Sequence, residues 1–398
     1  MDPIYITGAG VVSAIGVGKD ETLTSLQKGL TGISKMKYLQ SVHEELPVGE
    51  VKLSNEEMLR LLGVAYEPWL SRTALIGRLA LREALKEASL DGDILKEVPF
   101  ISATTVGGMD RRELYHADEA HCDSMFASIA THQCGTSTEM TAEPFGAFAS
   151  MSTLSTACSS ATNAMITGAN MLRCGLADIV VVGGSECLSK FHLNGFNALM
   201  ILDHHQCRPF DKDRAGLNLG EGAAYLVMEA SASVKKRGVA PLCVLSGYGN
   251  ACDAFHQTAS SPEGEGAFLA MQEALNVAGL NPDDIQYINA HGTGTVNNDE
   301  SESQAIKRLF GDKIPAVSST KSFTGHTTSA SGSIEAVFCI LALQNQFLPP
   351  NINWQTPMDN GIVPVTDICP PSEIKHILSN AFGFGGNDSS IILSKTGN

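Results

Sequence analysis

Apolar runs alternate along this chain with segments of helical spacing, and the alternation predicts an α/β protein. "PIYITGAGVVSAIG" at 3–16 reads as a strand, and "KDETLTSLQKGL" after it has the spacing of a helix. "SRTALIGRLALREALKEASL" at 71–90 predicts a long amphipathic helix. "ADIVVVGGSE" at 177–186 is apolar on both faces, which is typical of a strand covered on both sides. A polar, irregular stretch at 203–221 then leads into the strand "GAAYLVMEA".

The same order of patterns returns in the second half of the chain. "LCVLSGYGNACDAF" opens it as a strand with Ser and Gly, and the helical "GAFLAMQEALNVAGL" follows. "GHTTSASGSIEAVFCILAL" at 325–343 matches "ACSSATNAMITGANML" at 157–172, because both pass from small residues into a long apolar helix. We therefore predict a duplication of about 200 residues, with one half at 1–240 and the other at 241–398.

Composition excludes several classes of protein. The formal charge of −16 argues against a nucleic-acid partner, which needs clustered Lys and Arg. Ten cysteines without a C-x-x-C pair argue against a disulfide scaffold and favour a reducing compartment. We find neither the basic start of a signal peptide nor an apolar run of roughly 18 residues. We expect a cytoplasmic protein without a membrane span.

Cys158 lies where a helix is predicted to begin, in "LSTACSSATNAMITGANML" at 154–172. Free backbone N–H groups and the helix dipole favour a thiolate at such a place, so we expect a lowered pKa and a nucleophile. The alternative is a buried, inert cysteine.

Two histidines of the second half also have unusual surroundings. His291 lies in "NAHGTGT", and His326 follows Lys321 by five residues in "KSFTGHTTSASGSIEA". Glycine lets the backbone approach a ligand closely there, although a single histidine can equally be structural. Near the C-terminus, "NAFGFGGND" is a glycine-rich turn that could present backbone N–H groups to an oxyanion.

Five ordered motifs resemble the β-ketoacyl-[acyl-carrier-protein] synthases of the elongating type. They are "TACSS" at Cys158, "PFDKDRAGLNLGEGAA" at 209–224, "NAHGTGTVNNDESE" at 289–302, "KSFTGHTTSASGSIEA" at 321–336 and "NAFGFGG" at 380–386. The resemblance covers nearly the whole chain. It implies the thiolase-like α/β fold, two duplicated halves in five αβαβα layers, and a homodimer. It also implies an acyl carrier protein as partner, substrates held on the carrier's phosphopantetheine, and no separate cofactor.

The resemblance further implies a catalytic set of Cys158, His291, His326 and Lys321. Cys158 would accept the acyl chain, and the two imidazoles would donate N–H groups to the malonyl thioester oxygen as CO₂ leaves. Lys321 would tune the electrostatics around His326, and Glu335 would order this region.

Further positions are matched to substrate contacts. The backbone N–H groups of Cys158 and Phe384 would form an oxyanion hole, and Phe384 would also gate the entry of the acyl chain. Val106 would line the acyl tunnel. The remaining positions assigned to substrate binding are Phe382, Thr293 and Thr295.

Some residues depart from the family's pattern. The usual "GFGGTN" is "GFGGND", so Asn387 and Asp388 replace a hydroxyl and an amide, and we expect altered hydrogen bonding around the gate. "FGAFASMSTLSTACSS" lacks the family's common Gly-Pro, and "DHHQC" before Arg208 is atypical. These departures suggest a specialised pathway, such as polyene or polyketide assembly, as an alternative to fatty-acid elongation.

Interpretations other than an active synthase are also open. The main alternative is a catalytically silent partner subunit that sets chain length in a heterodimer, although such relatives lose the nucleophile. A degradative thiolase would need a second cysteine in "GFGGND", and an initiating synthase would have asparagine in place of His326. Metal sites at "HADEAHC" and "DHHQC" match no zinc spacing.

Carrier proteins are acidic, so an enzyme of net charge −16 must gather cations near its entrance. The candidates for this docking surface are Arg72, Arg111, Arg112, Arg208, Lys212 and Arg214.

Overall fold

The computed structural model describes residues 2–115, 129–370 and 372–397, so the metal candidate "HADEAHC" lies outside the described residues. The strands are β1 (Ile4–Ser13), β2 (Gly16–Val17), β3 (Pro99–Ala103), β4 (Ser150–Leu154), β5 (Ile179–Glu186), β6 (Gly222–Ala230), β7 (Cys243–Cys252), β8 (Tyr287–Asn289), β9 (Ala316–Ser318), β10 (His376–Gly383) and β11 (Asn387–Ser394). The helices are α1 (Lys19–Lys28), α2 (Asn55–Leu62), α3 (Arg72–Glu87), α4 (Met109–Tyr115), α5 (Cys134–Ala142), α6 (Ser160–Arg173), α7 (Lys190–Ala198), α8 (Ser231–Arg237), α9 (Glu265–Ala278), α10 (Val296–Phe310), α11 (Lys321–Thr324) and α12 (Ser331–Asn345). Short 3₁₀ turns lie at Gly92–Glu97, Glu143–Phe145, Pro282–Asp284 and Thr328–Ala330.

The described strands form one mixed sheet whose order is β4-β3-β5-β6-β1-β7-β11-β10-β8-β9, with β2 paired to β1. The antiparallel pair β1–β7 lies at the centre. Moving outward, the order β1, β6, β5, β3, β4 on one side corresponds to β7, β11, β10, β8, β9 on the other. In each half the three outer strands are parallel and the inner strands antiparallel. The predicted α/β architecture of two similar halves is therefore observed.

Helices cover both faces of the sheet and also fill the space between its halves. Helix α3 packs on β1, β5 and β6, and α9 packs on β7, β10 and β11. Helices α6 and α12 contact each other in the middle, α6 against β3 and β5 and α12 against β6 and β10. This central position explains why α12 is buried from Ser331 to Leu343 and is apolar on nearly every side.

Two predicted segments are more deeply buried than their sequence patterns suggest. Helix α3 was expected to be amphipathic, but it is buried from Arg72 to Leu81 because α2 and α5 cover it opposite the sheet. The 203–221 stretch has no regular helix or strand, as predicted, yet Phe210, Leu217 and Leu219 are buried within it. Of the helices that the structure describes, none is long and apolar enough to cross a membrane.

Candidate active site

Cys158 occupies a tight turn between β4 and α6. The preceding Ala157 has a φ of 51°, which is unfavourable for an L-residue and costs about 1–2 kcal/mol. Hydroxyl groups hold this backbone in place: Ser160 Oγ donates to the Ala157 carbonyl at 2.6 Å, and the single Ser159 Oγ proton is shared between the Thr156 carbonyl and Asn387 Oδ1, each at 2.8 Å. The serines of "TACSS" therefore support the strained turn that presents the thiol.

The second half of the chain brings two imidazoles to this thiol. His326 Nε2 lies 3.0 Å from Cys158 Sγ, and the rings of His291 and His326 meet edge to face with centroids 5.3 Å apart. Glu302 fixes the His291 loop, because its carboxylate accepts the backbone N–H groups of His291 at 2.9 Å and Gly292 at 2.8 Å. The backbone N–H of His326 donates to the Asn218 carbonyl at 2.7 Å. The structure thus brings together three of the four residues of the predicted catalytic set.

Lys321 lies behind the histidines as a buried cation. It is 1% exposed, and its Nζ donates to Glu335 Oε1 at 2.6 Å. Burial lowers the pKa of His291 and of His326 well below the usual range, and the charge of Lys321 lowers both further. Both imidazoles are therefore neutral at physiological pH and can donate an N–H without carrying charge.

The expected low pKa of Cys158 is wrong. Burial raises the pKa of this thiol to about 11, while the charge of Lys321 and the backbone N–H of Phe384 act in the opposite direction. The sequence showed the helix start but not the loss of solvent around it, and loss of solvent penalises a thiolate more than the helix start favours it. Cys158 at rest is a neutral thiol beside a neutral imidazole.

The glycine-rich turn after β10 closes one side of the site. Phe382 contacts the His291 ring at a centroid distance of 5.8 Å, and Phe384 stacks on Phe196 at 5.9 Å. Phe384 is 36% exposed, so its ring lies at the boundary between cavity and solvent. Gly385 and Gly386 have φ of 86° and 77°, a backbone conformation that larger residues rarely adopt.

A cavity of about 280 Å³ opens onto Cys158. Besides Cys158, His291 and His326, its walls include Phe382, Phe384, Thr293 and Thr295 from the predicted substrate contacts. Val106 is not among the described residues that line it; this side chain is buried in the adjacent core, and its N–H donates to Glu186 at 3.1 Å. Its role in an acyl tunnel stays a prediction.

Sequence reasoning missed two residues of the site. Phe196 is a lone aromatic in a helical segment, a pattern that carries no signal for an active site. Glu302 is the last residue of "NAHGTGTVNNDESE", and this position could have suggested a role for it.

The structure corrects the predicted docking surface. Arg72 is buried and pairs with Glu221, and Arg214 is buried against Asp299. Arg111 is only 5% exposed, and its Nε donates to the Leu70 carbonyl. These three cations stabilise the fold and are unavailable to a carrier protein. The candidates that remain accessible are Arg112, Arg208 and Lys212.

Among the described residues, one group of side chains has ligand atoms close enough together to bind a metal ion. It is formed by the thiol and the two imidazoles of this site. Single ligand atoms of Cys158, His291 and His326 lie within 4.8 Å of one another. The "DHHQC" stretch does not form such a group: His204 and His205 are exposed, whereas Cys207 is buried with its Sγ directed to the Lys321 carbonyl.

Comparisons with known proteins agree with this geometry. Residues 1–233 match the family model "Beta-ketoacyl synthase, N-terminal domain", and residues 242–355 match "Beta-ketoacyl synthase, C-terminal domain". The chain is 34% identical to the 3-oxoacyl-[acyl-carrier-protein] synthase 2 of Staphylococcus aureus (strain N315), over 98% of each protein.

Two solved structures have the same fold. The ishigamide ketosynthase/chain length factor matches with a TM-score of 0.92 and 29% identity over all of both chains. A type II PKS acyl-carrier protein in complex with its ketosynthase bound to the hexaketide matches with a TM-score of 0.87 and 26% identity, over 99% of this chain and 100% of that one. The thiolase-like fold that the sequence predicted is confirmed by these matches.

Proposed function

The chain belongs to the β-ketoacyl synthase family, and on that premise we propose that it extends an acyl chain by decarboxylative condensation with a malonyl thioester. The observation that carries the proposal is the 3.0 Å contact between His326 Nε2 and Cys158 Sγ, with His291 beside it in a cavity. Condensation needs a nucleophile to hold the acyl chain and donors for the charge that decarboxylation creates.

Acyl transfer comes first in this mechanism. Because Cys158 rests as a neutral thiol, its proton passes to His326 Nε2 as Sγ attacks the carbonyl of the acyl-carrier thioester. The negative charge on the carbonyl oxygen is placed near the backbone N–H groups of Cys158 and Phe384. The carrier's thiolate then leaves and takes the proton from His326, so that an acyl thioester remains on Cys158.

Condensation uses the imidazoles as neutral donors. After acyl transfer the neutral His326 ring moves its one proton from Nδ1 to Nε2 by exchange with solvent, with no net gain or loss. When the malonyl thioester loses CO₂, negative charge develops on its thioester oxygen, and the Nε2–H groups of His291 and His326 stabilise it. The resulting enolate carbon attacks the carbonyl carbon of the acyl-Cys158 thioester. The bond between that carbon and Sγ breaks, Cys158 leaves as a thiolate and takes a proton from solvent, and the product is longer by two carbons.

The position of Lys321 suits both steps. Its positive charge lowers the pKa of Cys158, which favours the thiolate formed during the cycle, and lowers the pKa of both histidines, which keeps them uncharged. A cation at this place therefore helps the nucleophile and the donors together. Thr293 and Thr295 line the same cavity, and we assign them to the phosphopantetheine arm that carries the substrates. No separate cofactor enters this scheme.

We propose an acyl carrier protein as the partner, because a matched ketosynthase was solved with one. A homodimer is the assembly we expect, and a heterodimer is the alternative, since another match is described as a ketosynthase/chain length factor. The silent-partner reading is less compatible with this chain because Cys158 and both histidines are present. The unpaired cysteines throughout the described ranges support a reducing, cytoplasmic setting as part of this proposal.

Intact-mass analysis tests the function. Wild type and Cys158→Ala are incubated with acyl-carrier thioesters of several chain lengths and then with malonyl-carrier. We expect an acyl adduct on the wild type only, discharged by malonyl-carrier as a product two carbons longer. A folded wild-type protein that forms no adduct with any chain would instead support the silent partner.

A further inference from the structure

The glycine-rich turn and the nucleophile turn are joined through one side chain, Asn387. Its Oδ1 accepts hydrogen bonds from Ser159 Oγ at 2.8 Å, Asn163 Nδ2 at 2.6 Å and Asn250 Nδ2 at 3.0 Å. Ser159 is the residue after Cys158, and Asn163 lies one turn further along α6. A single amide oxygen thus accepts hydrogen bonds from side chains at the start of α6 and on β7.

Asn387 is well placed to fix the turn that carries Phe384. It is the first residue of β11 and pairs across the ladder with Gly383, so it lies at the base of that turn. A Cβ at Gly383 would come within 2.9 Å of the Thr156 carbonyl and 3.2 Å of Ser159 Oγ. The two turns therefore already touch at this point, and Asn387 provides the side-chain bonds between them.

Its neighbours form a closed polar network. Asn163 Nδ2 also donates to Thr156 Oγ1 at 2.8 Å, and Asn163 Oδ1 accepts from Ser389 Oγ at 2.8 Å and Asn250 Nδ2 at 3.0 Å. Each amide in such a network restricts the rotamer of the next. Asn387 itself is not among the described residues that line the catalytic cavity, so any influence on substrate passes through the turns it holds.

We propose that Asn387 is a positioning residue that sets the distance between the Phe384 N–H and the Cys158 turn, and so shapes the oxyanion pocket of the acyl transfer step. The inference rests on the proposed function. The two N–H donors belong to different segments, and an oxyanion pocket works only when its donors are held in place before the reaction. Phe384 N–H already faces Cys158 Sγ.

Two reactions of the Cys158 thiol distinguish a positioning role of Asn387 from a general loss of structure around the thiol. Acyl transfer from an acyl-carrier thioester builds an oxyanion, whereas alkylation by iodoacetamide displaces iodide at a saturated carbon and builds none. We would compare wild type, Asn387→Ala, Asn387→Thr and the control Asn170→Ala at one pH. Asn170 lies on the same helix and accepts a bond from Tyr248 OH at 2.6 Å, away from Cys158.

We expect Asn387→Ala to slow acyl transfer by about 10- to 100-fold, as for weakening one oxyanion donor. Alkylation should slow by a clearly smaller factor, because the Phe384 N–H also favours the Cys158 thiolate. Asn387→Thr restores a hydroxyl acceptor one bond shorter and should recover part of the rate. Asn170→Ala should leave both reactions unchanged.

Three results would overturn the inference. Acyl transfer that is unaffected in Asn387→Ala contradicts it directly, and an equal fall in both reactions assigns the residue to the general integrity of the Cys158 turn. An equal loss of acyl transfer in Asn170→Ala would mean that any amide on α6 has the same effect. A wild type that is alkylated but never acylated would instead overturn the proposed function itself.

Discussion

The two halves of this molecule share an architecture and differ in chemistry. In each half a central helix, α6 or α12, begins after a turn of small residues. Each of these turns contains a residue in the left-handed region, Ala157 with φ of 51° and Thr328 with φ of 45°. The first turn presents the thiol of Cys158, whereas the second lies beside the imidazole of His326. A duplicated scaffold has therefore supplied two different groups to one cavity.

The halves differ equally in their buried charge. The second half places Lys321 and Glu335 as a buried pair behind the histidines, with Glu302 beneath the His291 loop. Around the thiol, the first half supplies the hydroxyls of Ser159 and Ser160 and one buried carboxylate, Glu186, whose charge raises the pKa of Cys158. In the mechanism proposed above, the first half holds the acyl chain, and the second half supplies the cation and the imidazoles that act during both steps.

Removing the thiol of Cys158 is the most severe test of the different contributions that the two halves make. In Cys158→Ala we expect no acyl-enzyme and a fall in elongation of at least roughly 10³-fold, because no other group of the cavity can carry the chain. Product formation is followed by mass spectrometry, with thermal unfolding as the control for folding. An acyl adduct on this variant would show that the acceptor lies elsewhere.

Removing the buried cation should have the next largest effect. Lys321→Met leaves Glu335 without its partner, and a buried charge left unpaired in this way lowers the free energy of unfolding by about 3–5 kcal/mol. Urea unfolding measures this value. Lys321→Met combined with Glu335→Gln should recover much of the stability, and equal losses in the single and double variants would contradict the pairing argument.

The third change separates the two chemical steps. We expect His291→Ala to slow CO₂ release from malonyl-carrier by about 10²–10³-fold, the effect of losing one donor to a developing oxyanion. Acyl transfer should be nearly unchanged, since it is His326 that contacts the thiol at 3.0 Å. CO₂ release and acyl-enzyme formation are measured in parallel, and a matching fall in both would assign His291 to the first step as well.

Titration of the thiol sharpens the electrostatic side of the comparison. Because burial holds the pKa of Cys158 at about 11, the thiolate fraction should rise as the pH increases. The rate of alkylation by iodoacetamide should therefore increase about tenfold per pH unit between roughly pH 7 and 9. A rate that is already constant below neutral pH would indicate a thiolate–imidazolium pair instead.

The smallest effect is expected at the surface. Arg208→Glu should raise the KM for malonyl-carrier by a factor of about 3 to 10, with a weaker effect at high salt. It should not alter decarboxylation of a small malonyl thioester, which needs no docking. Lys212→Glu is a matched charge reversal at another accessible cation, and an equal loss with both substrates would remove Arg208 from the docking surface.

The regular elements were largely readable from the sequence. Strand β6 begins and ends where the run "GAAYLVMEA" predicts, and β5 is buried along its whole length as its apolar pattern indicates. Both follow from local periodicity, which depends on neighbouring residues only. The repeat of small residues before α6 and α12 likewise predicted the two similar halves that are observed.

The predictions that were wrong concern residues whose burial cannot be read from local sequence patterns. The pKa of Cys158 was predicted to fall and instead rises, because the second half covers the helix start. Arg72, Arg111 and Arg214 were offered as surface cations, yet each is enclosed by partners far away in sequence or by a neighbouring loop. The contact between Phe196 and Phe384 joins distant segments for the same reason.

A two-step chase experiment tests most directly which residues act in acyl transfer and which act in condensation. Wild type and His291→Ala are first acylated by acyl-carrier, freed of excess substrate, and then mixed with malonyl-carrier while intact mass is followed over time. Our account predicts that both proteins form the adduct on Cys158, that the wild type discharges it as a product two carbons longer, and that His291→Ala keeps it. Failure of His291→Ala to form the adduct, or discharge at the wild-type rate, would contradict the assignment of His291 to the condensation step alone.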